Sequence, residues 1–199
     1  KGKLKLFFMI KSFGNKTKVA VFISGRGTNF KSLFYFSKKK KSKVQICIVI
    51  SNKKYAKGLD FAKKHNIKFQ TYTFKNSLKD ELKVLQILKK KNINIICLAG
   101  FMKILSKEFI KRFKGKIINI HPSLLPKYKG LDTHNRAINN NDKYSGCTVH
   151  YVTPKLDSGK IILQKKVKIF KNDNAKSLQK RILKQEHKIY PKALKMILN

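Results

Sequence analysis

The residues best suited to chemistry fall in two short clusters and one isolated acid. Asn119-Ile120-His121 ends an apolar run, Lys116-Ile117-Ile118-Asn119-Ile120, and is followed by Pro122-Ser123-Leu124-Leu125-Pro126. In extended backbone, residues two apart project to the same side, so Asn119 and His121 converge. The amide is a neutral donor, and the imidazole is a cationic donor or a proton shuttle. Two converging donors suit an oxyanion forming on a carbonyl carbon. Asp157 sits in Lys155-Leu156-Asp157-Ser158-Gly159. A carboxylate beside His121 would favour the imidazolium and could relay a proton through water. From its own residues Asp157 reads equally as a turn former before Gly159. A lone histidine is most often a satisfied structural residue, and spacing alone does not bring Asp157 to His121.

The second cluster is Ile23-Ser24-Gly25-Arg26-Gly27-Thr28-Asn29. It follows a strand pattern and opens a helix pattern, which is where α/β proteins bind anions on free N–H groups and a helix dipole. Phe30 occupies the third glycine position of a dinucleotide fingerprint, and the next strand ends in Ser51-Asn52 where an acid would be needed. No Gly-Lys-Ser/Thr of a P-loop follows. A single phosphate monoester fits better, with an ordinary tight turn as the even alternative. His65, His121, His134, His150 and His187 show no metal-ligand spacing, and no GxSxG elbow is present.

The elements that must position these residues follow from alternating patterns. Residues 19–23, 44–51, 67–72, 94–100 and 116–120 read as strands. Asn29 to Phe36, Tyr55 to His65 and Ser77 to Lys91 read as helices between them. The last carries Leu78, Leu82, Leu85 and Leu88 on one face, with Ser77 as N-cap. Strands alternating with helices imply a doubly wound, mostly parallel sheet. Residues 146–152 and 160–170 then read as two antiparallel strands, and a helix follows from about Ala175. The expected fold is α/β, Rossmann-like, with an antiparallel C-terminal extension. Residues 18–199 would form one domain, and residues 1–17 a poorly ordered basic extension.

The charge is extreme: 48 Lys and Arg against nine Asp and Glu, a formal +39. A nucleic-acid binder is the immediate reading. Yet only Arg26, Arg112, Arg136 and Arg181 supply the guanidinium fork that reads bases. AT-rich codons encode Lys, Asn and Ile, and the lysines run along the whole chain. Compositional drift is therefore favoured, with salt-sensitive adhesion to polyanions as its by-product. Cys47, Cys97 and Cys147 form no CxxC pair, which points to a reducing compartment. No apolar stretch approaches the ~20 residues of a membrane span.

Taken together, ISGRGTN (23–29), LAGFMKILS (98–106), INIHPSLLPKYKG (118–130), TVHYV (148–152), LDSGKIILQ (156–164) and QEHKIYP (185–191) resemble the phosphoribosylglycinamide formyltransferases, folate-dependent enzymes of purine synthesis. The resemblance runs from about Val19 to Pro191. It implies transfer of the formyl group of 10-formyltetrahydrofolate to the amine of 5'-phosphoribosylglycinamide in the cytoplasm, by a monomer or homodimer, with no metal and no specific nucleic-acid partner. It implies Asn119, His121 and Asp157 as the catalytic trio. Gly25, Gly27, Thr28 and Asn29 would hold the substrate phosphate, and Glu186 would contact its ribose. Met102, Lys103, Ile104, Leu105, Asn119, Val152 and Asp157 would receive the folate. The family commonly has an arginine where Ser77 stands; Lys75 or Lys79 could supply the charge but not the fork.

Related chemistries are expected to need more chain. A formyl-folate hydrolase would carry a regulatory domain before the glycine-rich loop, and a methionyl-tRNA formyltransferase a further C-terminal domain. A nucleic-acid-binding module derived from a decayed enzyme would bind polyanions tightly and turn over no folate.

Overall fold

The computed structural model describes residues 16–75 and 77–198, with the Ser77 side chain left out. The basic segment before Lys16 and the proposed Ser77 cap lie outside the described residues. Seven strands form one sheet in the order β3-β2-β1-β4-β5-β6-β7. They are β1 (Thr17–Ile23), β2 (Val44–Ser51), β3 (Phe69–Thr71), β4 (Ile95–Leu98), β5 (Lys116–His121), β6 (Tyr144–Tyr151) and β7 (Ile161–Lys168). Strands β1 to β5 pair in parallel, whereas β6 and β7 pair antiparallel. The chain is thus α/β with the antiparallel extension that the two late apolar runs predict. Strand β1 begins at Thr17, the last residue expected in the basic extension.

The helices are α1 (Thr28–Ser37), α2 (Lys57–Lys64), α3 (Ser77–Lys90), α4 (Lys107–Arg112), α5 (Thr133–Asn139) and α6 (Ala175–Met196). Central strand β1 is buried on both faces, as expected where helices cover a parallel sheet. Val19, Val21 and Ile23 pack with Phe30 and Leu33 of α1 and with Ile182 and Tyr190 of α6. Ala20 and Phe22 face the other way, toward Val84 and Leu88 of α3 and Phe109 of α4.

Two features depart from the sequence reading. Helices α4 and α5 were not expected, because six and seven residues are too few to show a helical period. The buried stripe of α3 runs through Glu81, Val84 and Leu88, while Leu78 is 58 % exposed. The stripe can admit the Glu81 carboxylate because Ser106, the N-cap of α4, bonds it through both its backbone N–H and its hydroxyl.

Helix α6 starts at a capping box between Asn174 and Ser177. Asp173 reinforces that start by accepting from the Ser177 hydroxyl and from both terminal nitrogens of Arg181. Deeper in α6, the fully buried Tyr190 hydroxyl lies 2.9 Å from the carbonyl of Leu98 and 3.2 Å from that of Ile118. It thereby ties the helix to the neighbouring strands β4 and β5 just below their carboxyl ends. Removing the hydroxyl takes away the buried donor shared by these two carbonyls without opening a large cavity. Tyr190→Phe is expected to lower unfolding free energy by about 1–3 kcal/mol in urea titrations, with an unchanged dependence on denaturant.

Candidate active site

A cleft of about 770 Å³ opens at the carboxyl ends of β1, β4 and β5, the place where open α/β sheets bind ligands. It brings the sequence-derived candidates together. Asn119 and His121 project into it from the end of β5, and Asp157 comes from the connection between β6 and β7. The Asp157 side chain is 8 % exposed. Its Oδ2 lies 3.4 Å from His121 Nδ1 and accepts a bond from the Gly130 backbone N–H at 2.9 Å. His121 Nε2 lies 2.8 Å from the Tyr128 carbonyl. A carbonyl can only accept, so this nitrogen carries a proton, and Nδ1 is the one turned to the carboxylate.

His150 is a member of this cluster that the sequence reading did not select. Asn119 and His150 are directly paired across β5 and β6, so both side chains stand on the same face of the sheet. The Asn119 amide nitrogen lies 3.3 Å from His150 Nε2, and Asp157 Oδ1 lies 3.6 Å from the same atom. His150 Nδ1 donates to the Tyr151 carbonyl at 2.8 Å, leaving Nε2 of the neutral ring as an acceptor for the amide. Burial lowers the His150 pKa, against the opposing pulls of that backbone bond and of Asp157. A neutral His150 therefore aims one N–H of Asn119 at itself and leaves the other free. A register irregularity between Val149 and His150 helps set this orientation. The signal was a cross-strand register, which a single sequence does not display. His134, on α5, also lines the cleft, and burial lowers its pKa too.

The glycine-rich loop forms one end of the cleft. Gly27 takes φ 67° and serves as the N-cap of α1, with no side chain capping the helix. The first N–H groups of α1, at Thr28 and Asn29, are thus available to a ligand. A Cβ on Gly27 would lie 2.9 Å from the Gly58 Cα of α2, so side chains there would push the two helices apart. Gly25 and Arg26 line the same end. Asn29 is 7 % exposed, and its amide donates to Glu186 Oε2 at 2.6 Å, while its Oδ1 has no partner. Burial raises the Glu186 pKa, against the Asn29 bond. The unpartnered Oδ1 and the buried carboxyl give this end acceptors as well as donors.

The other end is apolar. Met102 and Ile104 are 61 % and 73 % exposed, and with Lys103, Leu105 and Val152 they border the cleft. The backbone groups of Lys103, Ile104 and Leu105 have no hydrogen-bond partner among the described residues. The site therefore joins an anion cradle, a donor pair beside a carboxylate, and an apolar wall with free peptide groups. That combination suits addition to a carbonyl between a phosphorylated and a flat heterocyclic substrate.

Comparison with known proteins identifies the family of the chain. The formyl transferase family model matches residues 17–194. Phosphoribosylglycinamide formyltransferase of Haemophilus influenzae is 44% identical over 181 residues, which cover 89% of this chain and 85% of that protein. The trifunctional purine biosynthetic protein adenosine-3 of Homo sapiens is 41% identical over 92% of this chain, but the chain spans only 18% of its length. The crystal structure of phosphoribosylglycinamide formyltransferase from Brucella melitensis superposes with a TM-score of 0.87 at 40% identity, over 92% of this chain and 95% of that one. The chain belongs to the formyl transferase family, in its phosphoribosylglycinamide formyltransferase branch.

Proposed function

We propose that this protein transfers a formyl group from 10-formyltetrahydrofolate to the amine of 5'-phosphoribosylglycinamide, a step of purine synthesis in the cytoplasm. The observation that carries the reading is the meeting of Asn119, His121 and Asp157 in one cleft, between an uncapped helix start and an open backbone segment. Gly25, Gly27, Thr28 and Asn29 cradle the phosphate, and the buried Glu186 accepts from ribose hydroxyls. Met102 to Leu105 and Val152 take the folate ring against apolar side chains and free peptide groups.

As the amine adds to the formyl carbon, the formyl oxygen gains charge. The free N–H of Asn119, held by His150, donates to that oxygen, and His121 donates to it by exchanging the Tyr128 carbonyl for the formyl oxygen as partner of its Nε2–H. Asp157 faces His121 Nδ1 and orders a water that carries the proton from the attacking amine to the departing folate nitrogen. The Asn119 donor lowers the barrier because, held by His150, it needs no reorientation when the charge appears.

Formyl transfer from 10-formyltetrahydrofolate, followed by absorbance with and without 5'-phosphoribosylglycinamide, tests the assignment. Turnover that requires the ribonucleotide supports it. Turnover without it would make water the acceptor, and absence of both would refute the reading. Asp157→Asn and His121→Ala are each expected to reduce kcat by about 10²–10⁴-fold with the fold intact by circular dichroism. Near-wild-type turnover in either variant would remove that residue from the mechanism.

Glu186 adds a pH dependence. Its folded pKa is raised, so its stabilising contribution is complete below the unfolded value of 4.5 and is lost as pH rises through the folded value. Glu186→Gln is uncharged throughout. Its thermal midpoint should fall less than the wild type's between acidic and neutral pH, while its KM for the ribonucleotide rises.

A further inference from the structure

The segment Phe101–Leu105 presents exposed apolar side chains and unbonded peptide groups to the cleft, yet both of its ends are fixed by buried polar side chains. At the first end, Ser24 holds the chain twice. Its backbone N–H donates to the Gly100 carbonyl at 3.1 Å, and its hydroxyl accepts from the Met102 N–H at 2.7 Å. That hydroxyl gives its own proton to Asn52 Oδ1 at the end of β2, so its direction is set. At the other end, Glu81 of α3 is 2 % exposed, and its two oxygens accept from the Ser106 backbone N–H at 2.8 Å and from the Ser106 hydroxyl. The same hydroxyl caps α4 by accepting from Phe109 N–H at 3.0 Å. Between these ends, Phe101 packs edge-on against Phe22 and Phe74, each with ring centroids 5.3 Å away.

A carboxylate is seldom buried without a cationic partner, and the bonds at Ser106 are what compensate it here. Glu81 stands first in the buried stripe of α3, ahead of Val84 and Leu88, and both of its oxygens are taken up by Ser106. Its position is explained by what it holds. A segment that leaves its own peptide groups unbonded has no internal ladder to fix its shape, so the shape must come from its ends.

We propose that Ser24 and Glu81 are positioning residues that set the backbone of Met102–Leu105 for the folate co-substrate, neither of them touching it. The proposal rests on the reading of this segment as the folate-receiving wall. Ser24 precedes the phosphate loop and Glu81 lies on α3, outside the cleft, so the folate side of the reaction should respond and the chemistry should not. In Ser24→Ala and Glu81→Ala, KM for 10-formyltetrahydrofolate should rise about tenfold or more, the equivalent of one or two lost buried hydrogen bonds. KM for the ribonucleotide and kcat at saturation should stay within about twofold. Amide hydrogen exchange at Met102–Leu105 should accelerate in both variants without ligand, with exchange in β1 and β4 unchanged. Glu81→Gln keeps an acceptor for Ser106 N–H and can donate to its hydroxyl, so it should restore both readouts.

Folded variants with unchanged folate KM and unchanged exchange would overturn the proposal. So would a parallel rise in both KM values, which would mark general loosening. A Glu81→Gln variant as impaired as Glu81→Ala would assign the effect to charge and also overturn it. If Glu81→Ala fails to fold, Ser24→Ala carries the same test. A wild-type protein that binds no folate would refute the functional reading, while the exchange measurement would still decide whether these two side chains hold the segment.

Discussion

A single shielded carboxylate organises the cleft end of this molecule. Asp157 reaches His121 from β5, His150 from β6 and the peptide N–H of Gly130 from the loop between β5 and α5. These three partners are contiguous neither in sequence nor in one element. A buried carboxylate without donors or cations is strongly disfavoured, so the Gly130 loop is drawn to Asp157 by its N–H and the His121 ring of β5 faces the same oxygen, while the neutral His150 ring lies beside them as the acceptor for Asn119. Lys129 Nζ, bonded to Ser158 Oγ at 2.7 Å, closes the same two loops on each other from outside. Tyr190 secures the strands beneath, and the start of α1 then faces the cluster across the cleft.

Much of this was legible in the sequence, for identifiable reasons. Asn119 and His121 are two residues apart on a strand, and a period of two is strong enough to place both on one side. The glycine-rich loop announced itself by its position between an apolar run and a helix start. The parallel sheet followed from long alternating patterns. His150 escaped because its role depends on the pairing of β5 with β6, and no local pattern carries a register. The partners of His121 and Asp157 at Tyr128 and Gly130 escaped because they are backbone atoms of a loop. Helix α3 shows a different failure: a leucine period was visible, but the face that turns inward is rotated toward Glu81. Only the placement of Ser106, 25 residues later, makes a buried acid tolerable there.

The lysine-rich composition looks different once the acids are located. The nine carboxylates are not a residue scattered among 48 basic groups. Asp157, Glu186 and Glu81 are buried and bonded in or beside the cleft. Asp80 accepts from the Phe74 N–H ahead of α3, and Asp173 holds the start of α6. Asp142 accepts from Tyr128 and Lys127 near the site, and Glu108 pairs with Arg112 along α4. Asp132 accepts from Asn135, so eight of the nine acids have a bonding partner, whereas most lysines are exposed. The lysines thus dominate the solvent-facing surface, and the acids sit mostly where an acceptor is bonded.

The turn between β6 and β7 acts as a ruler. Val152 N–H is fixed on the Ile117 carbonyl, Tyr151 N–H on the Lys160 carbonyl, and a Cβ on Gly159 would fall 1.8 Å from the Tyr151 carbonyl oxygen. Loop length is usually among the most permissive variables in a fold, since added residues cost little. Here both ends of the connection are clamped and Asp157 sits between them. One inserted or deleted residue would leave the hairpin intact and carry the carboxylate away from both imidazoles. Segment length in this hairpin therefore matters to the cluster as much as the identity of the residue it carries.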